Sequence, residues 1–321
     1  MDIIDQILRG VKTVAISGHI HPDGDCIGAC LGLYNYMIEY YPELEVSVYL
    51  EPIISKFYYL NHVEDVSSSI EKNIQYDLFI MLDTSDLKRL GEFGKYFDLA
   101  KKTVCIDHHV TNHGFAQTNY IRPDVSSTCE VLFYLMEEAR ISKSTAECLY
   151  TGIIHDTGIF KYANTTENTM YAAGKLISKG IDFNKIIDDS FYRKTYIQNQ
   201  ILGRALLESM TFLHGKCIVS GIRAKDMEFY QVTNKDLDGI IEQLRVTEGV
   251  ECAIFCYEIG IHEYKVSMRS NSYVDVSQIA AYFGGGGHIR AAGCTMNGSF
   301  HDVINNLSLQ IERQIVLRDS K

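Results

Sequence analysis

The chain has 321 residues, 46% hydrophobic and 22% charged, with 30 Lys and Arg against 41 Asp and Glu for a net charge of −11. That length suits about two domains, each able to bury a core without disulfide or zinc staples. The acidic balance excludes a protein that coats long nucleic acid by bulk electrostatics, and 24 Gly with 4 Pro exclude collagen-like and low-complexity classes.

The opening stretch, MDIIDQILRGVKTVAIS, carries Asp2, Asp5, Arg9 and Lys12 too early for a signal-peptide core. No run of about 18 apolar residues follows, so a cytoplasmic protein without a membrane span is expected. Residues 12–17 (KTVAIS) read as a short buried strand, GHIHPDGD as a polar loop, and 26–40 as a helix by apolar spacing. Further strands are predicted at 45–50, 77–82 and 103–106. They are apolar nearly throughout, as strands covered on both faces of a parallel sheet are. Helices are predicted at about 127–140, 144–156 and 165–180. Residues 188–210 read as a linker running into a helix. Beyond it, strands at 216–223, 250–258 and 263–269 and helices at 236–246 and 301–317 make a smaller α+β domain. The expected division is 1–187, linker 188–210, and 211–321. Nine scattered cysteines include no CxxC pair, so zinc-ribbon spacing is absent. Cys26/Cys30 and Cys252/Cys256 read as small core residues in reduced form.

Polar clusters close three of the predicted strands, and in open α/β sheets ligands bind outside the carboxyl ends of the strands. The first is His19-x3-Asp23-x-Asp25, an imidazole and two carboxylates in one loop; taken alone it also reads as an Asx-rich turn capping a helix. The second is Asp83 after DLFIML, with Asp86 the better candidate for a helix cap. The third is Asp107-His108-His109, in which adjacent imidazoles diverge and take different roles. The fourth is Asp156 in TGIIHDTGIF, where a lone buried carboxylate is costly and a cation removes that cost. Its neighbour His155 reads as structural. Together they give His19, Asp23, Asp25, Asp83, His108 and Asp156 as metal ligands. Imidazole and carboxylate without thiolate suit Mn²⁺ or a related ion better than structural zinc.

The order HxHPDGDxxGA, LDTSD, DHH, HDTG resembles the DHH phosphoesterases, and the resemblance covers essentially the whole chain. The superfamily includes RecJ-type exonucleases, family II pyrophosphatases and the nanoRNase/pAp phosphatases. In the second half, Arg269-Ser270 and the run Gly284-Gly285-Gly286-Gly287-His288, followed by Ala291-Ala292-Gly293, look like the DHH-associated C-terminal domain of the nanoRNase type. Four glycines would present backbone N–H groups to an anion with no Cβ in the way. Arg269, Ser270, Gly285, Gly286, Gly287 and His288 are therefore the expected substrate-binding residues.

The resemblance implies an α/β fold: a parallel-sheet DHH domain, a smaller C-terminal α+β domain, and an active site in the cleft between them. It implies two divalent ions, Mn²⁺ first with Mg²⁺ or Co²⁺ as alternatives. His19 and Asp23 would hold one, Asp25, His108 and Asp156 the other, and Asp83 both. His109 would meet the scissile phosphate and Asp107 would orient a neighbouring His, making these two the catalytic pair. Ala29 stands where the family usually has Ser, and His21 where Asn or Arg is more frequent; neither is a ligand position.

The expected reaction is hydrolysis of short oligoribonucleotides, of 3'-phosphoadenosine 5'-phosphate, or of both, by two-metal hydroxide attack. A cyclic-di-AMP or pApA phosphodiesterase would share the same site. A family II pyrophosphatase would lack the GGGGH and Arg-Ser elements. A non-catalytic nucleotide-binding regulator would be expected to have lost a ligand, and none is missing. No long duplex and no membrane is expected as partner, and the sequence leaves a homodimer open.

Overall fold

The computed structural model describes residues 3–70 and 74–319. They form two compact units, divided between Arg193 and Lys194. The first unit runs α1 (Ile3–Ile7), β1 (Thr13–Ser17), α2 (Gly24–Tyr40), β2 (Glu45–Tyr49), β3 (Val66–Ser67), β4 (Leu78–Leu82), α3 (Gly94–Leu99), β5 (Lys102–Asp107), β6 (Thr118–Ile121), α4 (Thr128–Leu135), α5 (Lys143–Asp156), α6 (Glu167–Ile177) and α7 (Phe183–Ile187). Its sheet has the order β3-β2-β1-β4-β5-β6, and every pairing is parallel.

The apolar runs of β1, β4 and β5 follow from this layering. Side chains alternate across a sheet. Val14, Ile16, Leu78, Ile80, Leu82, Val104 and Ile106 enter the core shared with α2, α4 and α5. Ala15, Phe79, Met81 and Cys105 enter a second core with Tyr49, Tyr76, Leu90 and Tyr96 on the other face. With both faces covered, every residue of β4 is buried, and no polar alternation is left to read. Asp77 ties the amino end of the sheet, accepting from the Lys12 and Thr13 amides at 2.9 and 3.2 Å.

The second unit runs α8 (Tyr196–Leu207), β7 (Met210–Phe212), β8 (Cys217–Ile222), α9 (Ala224–Tyr230), α10 (Ile240–Arg245), β9 (Cys252–Gly260), β10 (Glu263–Ser270), α11 (Val276–Tyr282), β11 (Gly286–His288), β12 (Ala291–Asn297) and α12 (Phe300–Asp319). Its sheet, β11-β12-β10-β9-β8-β7, is mixed: β8 and β9 are parallel and the rest antiparallel. One face packs on α11 and α12 through Val276, Ile279, Val303, Leu307 and Ile311. The other packs on α8 and α10 through Ile201, Ala205, Ile240 and Leu244.

The boundary between the units falls inside the segment 188–210, expected as a linker running into a helix. Asp188–Tyr192 continue α7 as a π-helical turn, and Thr195 caps α8 with Gln198 in a capping box. Ile201 and Ala205 of that helix are fully buried. Two expectations are corrected. The helix expected at 127–140 stops at Leu135 because Met136 turns extended, and Ser142 then caps α5. The helix expected at 236–246 is broken at Gly239, whose φ of 85° is left-handed. All nine cysteines are buried and free. Among the described residues, no helix is long and apolar enough to cross a membrane.

Candidate metal centre

The adjacent strands β1, β4 and β5 end in loops at one edge of the sheet. His19 lies two residues past β1, Asp83 directly follows β4, and His108 directly follows β5. Asp23 is the N-cap of α2, and its carboxylate accepts the Asp25 and Cys26 amides at 3.1 Å each. Asp156 closes α5. The fold thus brings together all six sequence-predicted ligands.

Asp83 is the centre of the cluster. Its Oδ2 is 3.4 Å from His19 Nε2 and its Oδ1 3.7 Å from His108 Nε2. His19 Nε2 is also 3.7 Å from Asp23 Oδ1. His108 Nε2 lies 3.0 Å from Asp156 Oδ2 and 4.0 Å from Asp25 Oδ2. Asp83 holds a left-handed φ of 53°, which Asp tolerates better than most side chains. Its amide donates to Ile106 at 3.1 Å, and its Oδ1 accepts the Thr128 hydroxyl at 3.1 Å.

Neighbouring groups fix ring orientation and tautomer. His19 Nδ1–H donates to the Ile20 carbonyl at 2.7 Å, leaving Nε2 as the ligand atom. His109 Nδ1 donates to Asp107 Oδ1 at 2.7 Å, and Asn112 Nδ2 donates to Asp107 Oδ2 at 2.7 Å. The His109 Nε2 is thereby free for a reacting group.

Asp25 is wholly buried, and it sits on the first turn of α4. Its Oδ2 accepts the Thr128 amide at 2.7 Å and its Oδ1 the Cys129 amide at 3.0 Å, N–H groups that the helix itself cannot satisfy. Gly152 of α5 faces the same carboxylate. A Cβ there would lie 2.6 Å from Asp25 Oδ1 and 2.2 Å from Cys129 Sγ.

The electrostatics are those of an anion cluster awaiting charge. Burial alone would lower the His19 pKa, but Asp23 and Asp83 outweigh it and push it up to about 11. For His108 burial is likewise outweighed, chiefly by Asp156 and Asp25, and the value rises to about 10. Burial raises Asp25, reinforced by Asp83 and Asp156. Burial also raises Asp156, with His108 opposing. Asp23 falls to about 2 because His19 outweighs its partial desolvation. The Asp107 hydrogen bond raises His109 against its burial.

Protonated imidazoles thus supply the positive charge that a divalent ion would supply instead. Cys26 lies beside His19 and Asp83, but burial holds its thiol well above the ordinary range. A neutral thiol is a poor ligand, so the donor set is imidazole and carboxylate and fits a hard or borderline divalent cation.

Sequence reasoning missed Asn112 and the first turn of α4. Asn112 lies in a polar turn, Asp107-His-His-Val-Thr-Asn, whose Asx contact to Gly114 at 2.9 Å was its one signal. The α4 start was announced by Ser127, which caps the Glu130 amide at 3.1 Å. Its partner Asp25, 103 residues away, was not. His155 packs between Phe57 and Phe191 at ring distances of 5.1 and 5.3 Å. Burial pushes its pKa down to about 4.

The expected substrate-binding residues all lie in the second unit. Arg269 Nε is 2.8 Å from Glu242 Oε1, and the same carboxylate takes Arg245 Nε at 2.8 Å. The Ser270 amide donates to the Arg290 carbonyl at 3.1 Å. The expectation that four glycines offer free N–H groups is corrected. Gly284 and Gly285 return theirs to the Ala281 and Ala280 carbonyls at 3.0 and 2.8 Å, closing α11. Gly286, Gly287 and His288 form the exposed edge strand β11. Glycine is required because the strands approach closely: a Cβ at Gly285 would be 2.2 Å from the Gly293 carbonyl oxygen, and one at Gly287 2.5 Å from that of Ala291.

Residues 13–153 match the DHH family, N-terminal domain, and residues 214–316 match the DHHA1 domain. The chain thus carries a DHH family N-terminal domain in its first unit and a DHHA1 domain in its second. It is 28% identical to the bifunctional oligoribonuclease and PAP phosphatase NrnA of Thermus thermophilus, over 99% of this chain and 95% of that protein. It is 24% identical to the protein of the same name from Bacillus subtilis, over 88% of this chain and 89% of that one. In fold it is similar to an exopolyphosphatase-related protein from Bacteroides fragilis, with a TM-score of 0.88, 23% identity, and 98% and 96% of the two chains covered.

Proposed function

We propose that this chain is a metal-dependent phosphoester hydrolase acting on short oligoribonucleotides and on 3'-phosphoadenosine 5'-phosphate. The observation that carries the reading is Asp83, buried between two imidazoles and within reach of both halves of a six-residue donor cluster. The substrates of the similar Thermus and Bacillus proteins, as their names give them, support the substrate class. Two divalent ions, Mn²⁺ first, are the proposed cofactors. His19 and Asp23 would hold one, Asp25, His108 and Asp156 the other, and Asp83 both.

Such ions supply Lewis acidity toward the phosphoryl oxygens and the attacking water. His109 does the proton work. Its Nε2 donates to the departing oxygen, while Asp107, itself held by Asn112, keeps the ring oriented and its positive charge stabilised. Arg269, Ser270, Gly286, Gly287 and His288 would hold the rest of the nucleotide.

A turnover assay with Mn²⁺ tests the reading, offering a short RNA, 3'-phosphoadenosine 5'-phosphate, pApA and cyclic-di-AMP side by side. Preference for the first two supports it. Turnover of cyclic-di-AMP or pApA alone moves the chain to second-messenger breakdown. No turnover of any substrate overturns it.

A further inference from the structure

The first unit contains five arginines: Arg9, Arg89, Arg122, Arg140 and Arg193. Three are matched by carboxylates, Arg122 by Asp124, Arg140 by Asp5 and Arg193 by Asp189, at 2.7, 3.2 and 2.5 Å. Arg9 is exposed to solvent. Arg89 differs from all of these. It is half-buried, and among the described residues its guanidinium has neither an ion pair nor a hydrogen bond. Charged side chains that leave water normally find a partner.

Arg89 lies in the loop after β4, six residues beyond Asp83, and that loop is locked onto the ligand loop after β1. The Ile20 amide, next to His19, donates to the Arg89 carbonyl at 2.7 Å. Asp86 caps the loop by accepting the Lys88 amide at 2.8 Å, and Leu90 is anchored in the core. Gly91 has a left-handed φ of 56°, and a Cβ on it would meet Ile20 Cγ2 at 2.7 Å. The Arg89 backbone is thus fixed on the segment that follows Asp83 and against the loop that carries His19, and among the described residues its guanidinium is uncompensated. It cannot serve a cation, and among the described residues no carboxylate answers it. An anion brought by the substrate would, and a guanidinium fork suits phosphate.

We propose that Arg89 is a specificity-determining residue that binds a phosphate of the nucleotide other than the one being cleaved. The inference rests on the phosphoesterase reading above, in which the donor cluster and His109 already serve the scissile group. A second phosphate on the same nucleotide is the remaining anion for a cation on the neighbouring loop.

The test uses two substrate pairs, each differing only in a 5'-phosphate: 3'-phosphoadenosine 5'-phosphate against 3'-AMP, and pApA against ApA. The ratio of kcat/KM within each pair is read for wild type, Arg89→Gln and Arg89→Lys. Arg89→Gln is expected to lower the ratio about tenfold or more, through KM. Arg89→Lys, which keeps the charge but loses the fork, is expected to fall between it and wild type. Because the readout is a ratio, a general loss of folded enzyme does not imitate the effect. A ratio within about twofold of wild type in both variants overturns the role of Arg89. A wild-type protein that hydrolyses neither member of either pair overturns the reading of the site itself.

Discussion

On one side of Asp83, Asp25 is 0% exposed and both its oxygens accept backbone amides from the first turn of α4. On the other, Asp23 is 60% exposed, and besides its contact with His19 it makes only the cap of its own helix. The same residue type therefore does two jobs in the proposed centre. Asp25 is built into the fold and would position an ion rigidly. Asp23 is held at the rim, where it can adjust as a substrate arrives. The contrast implies that in the proposed centre metal affinity and fold stability would be coupled in one half of the cluster and separable in the other.

Removing the shared member should erase the difference. Asp83→Asn is expected to lower kcat by about 10³-fold; steady-state kinetics with saturating Mn²⁺ check it, and activity near wild type would sink the central role of Asp83. The two flanking acids then separate. Asp25→Asn trades an acceptor oxygen for an NH₂ facing a backbone N–H, and should destabilise the metal-free protein by about 1–3 kcal/mol. Asp23→Asn keeps a good N-cap, so its loss should stay within about 0.5 kcal/mol, although Mn²⁺ binding weakens in both. Urea titration in a chelator decides; equal losses would erase the distinction.

A smaller effect is expected one step from the cluster. Asn112→Ala frees Asp107 and should lower kcat about tenfold with little change in metal affinity. A matching loss of Mn²⁺ affinity in calorimetry would instead place Asn112 with the ligands.

The gentlest probe is pH. His19 and His108 have folded-state values near 11 and 10, above the ordinary 6.5. Their contribution is full below pH 6.5 and is lost as pH rises through those folded values. In chelator, Tm should therefore decline from pH 7 to pH 10. With Mn²⁺ bound the imidazoles are already neutral, so the decline should be shallower. Identical slopes would contradict ligation by these rings.

The parts of the molecule written in local sequence were legible. The strands β1, β4 and β5 are continuous apolar runs, and the donors lie just past each run, so both the parallel sheet and the clustering of the donors could be read. What escaped was what depends on distant chain. Strand β3, two residues long, exists because β2 offers it an edge. The α4 amides matter because Asp25 arrives from far away in sequence. Among the glycines of 284–288, the requirement for no side chain was visible, but its cause was partly misread. Helix closure and strand contact demand it at Gly284, Gly285 and Gly287.

The contact between Gly152 and Asp25 has a consequence for how variation in this chain is read. Gly152 bears no functional group, yet any side chain there must displace both the Asp25 carboxylate and the Cys129 sulfur. In a mutational screen, position 152 would score like a catalytic position. A map of intolerant sites would draw the active centre one layer too large, and would count a helix-crossing point among its chemical groups.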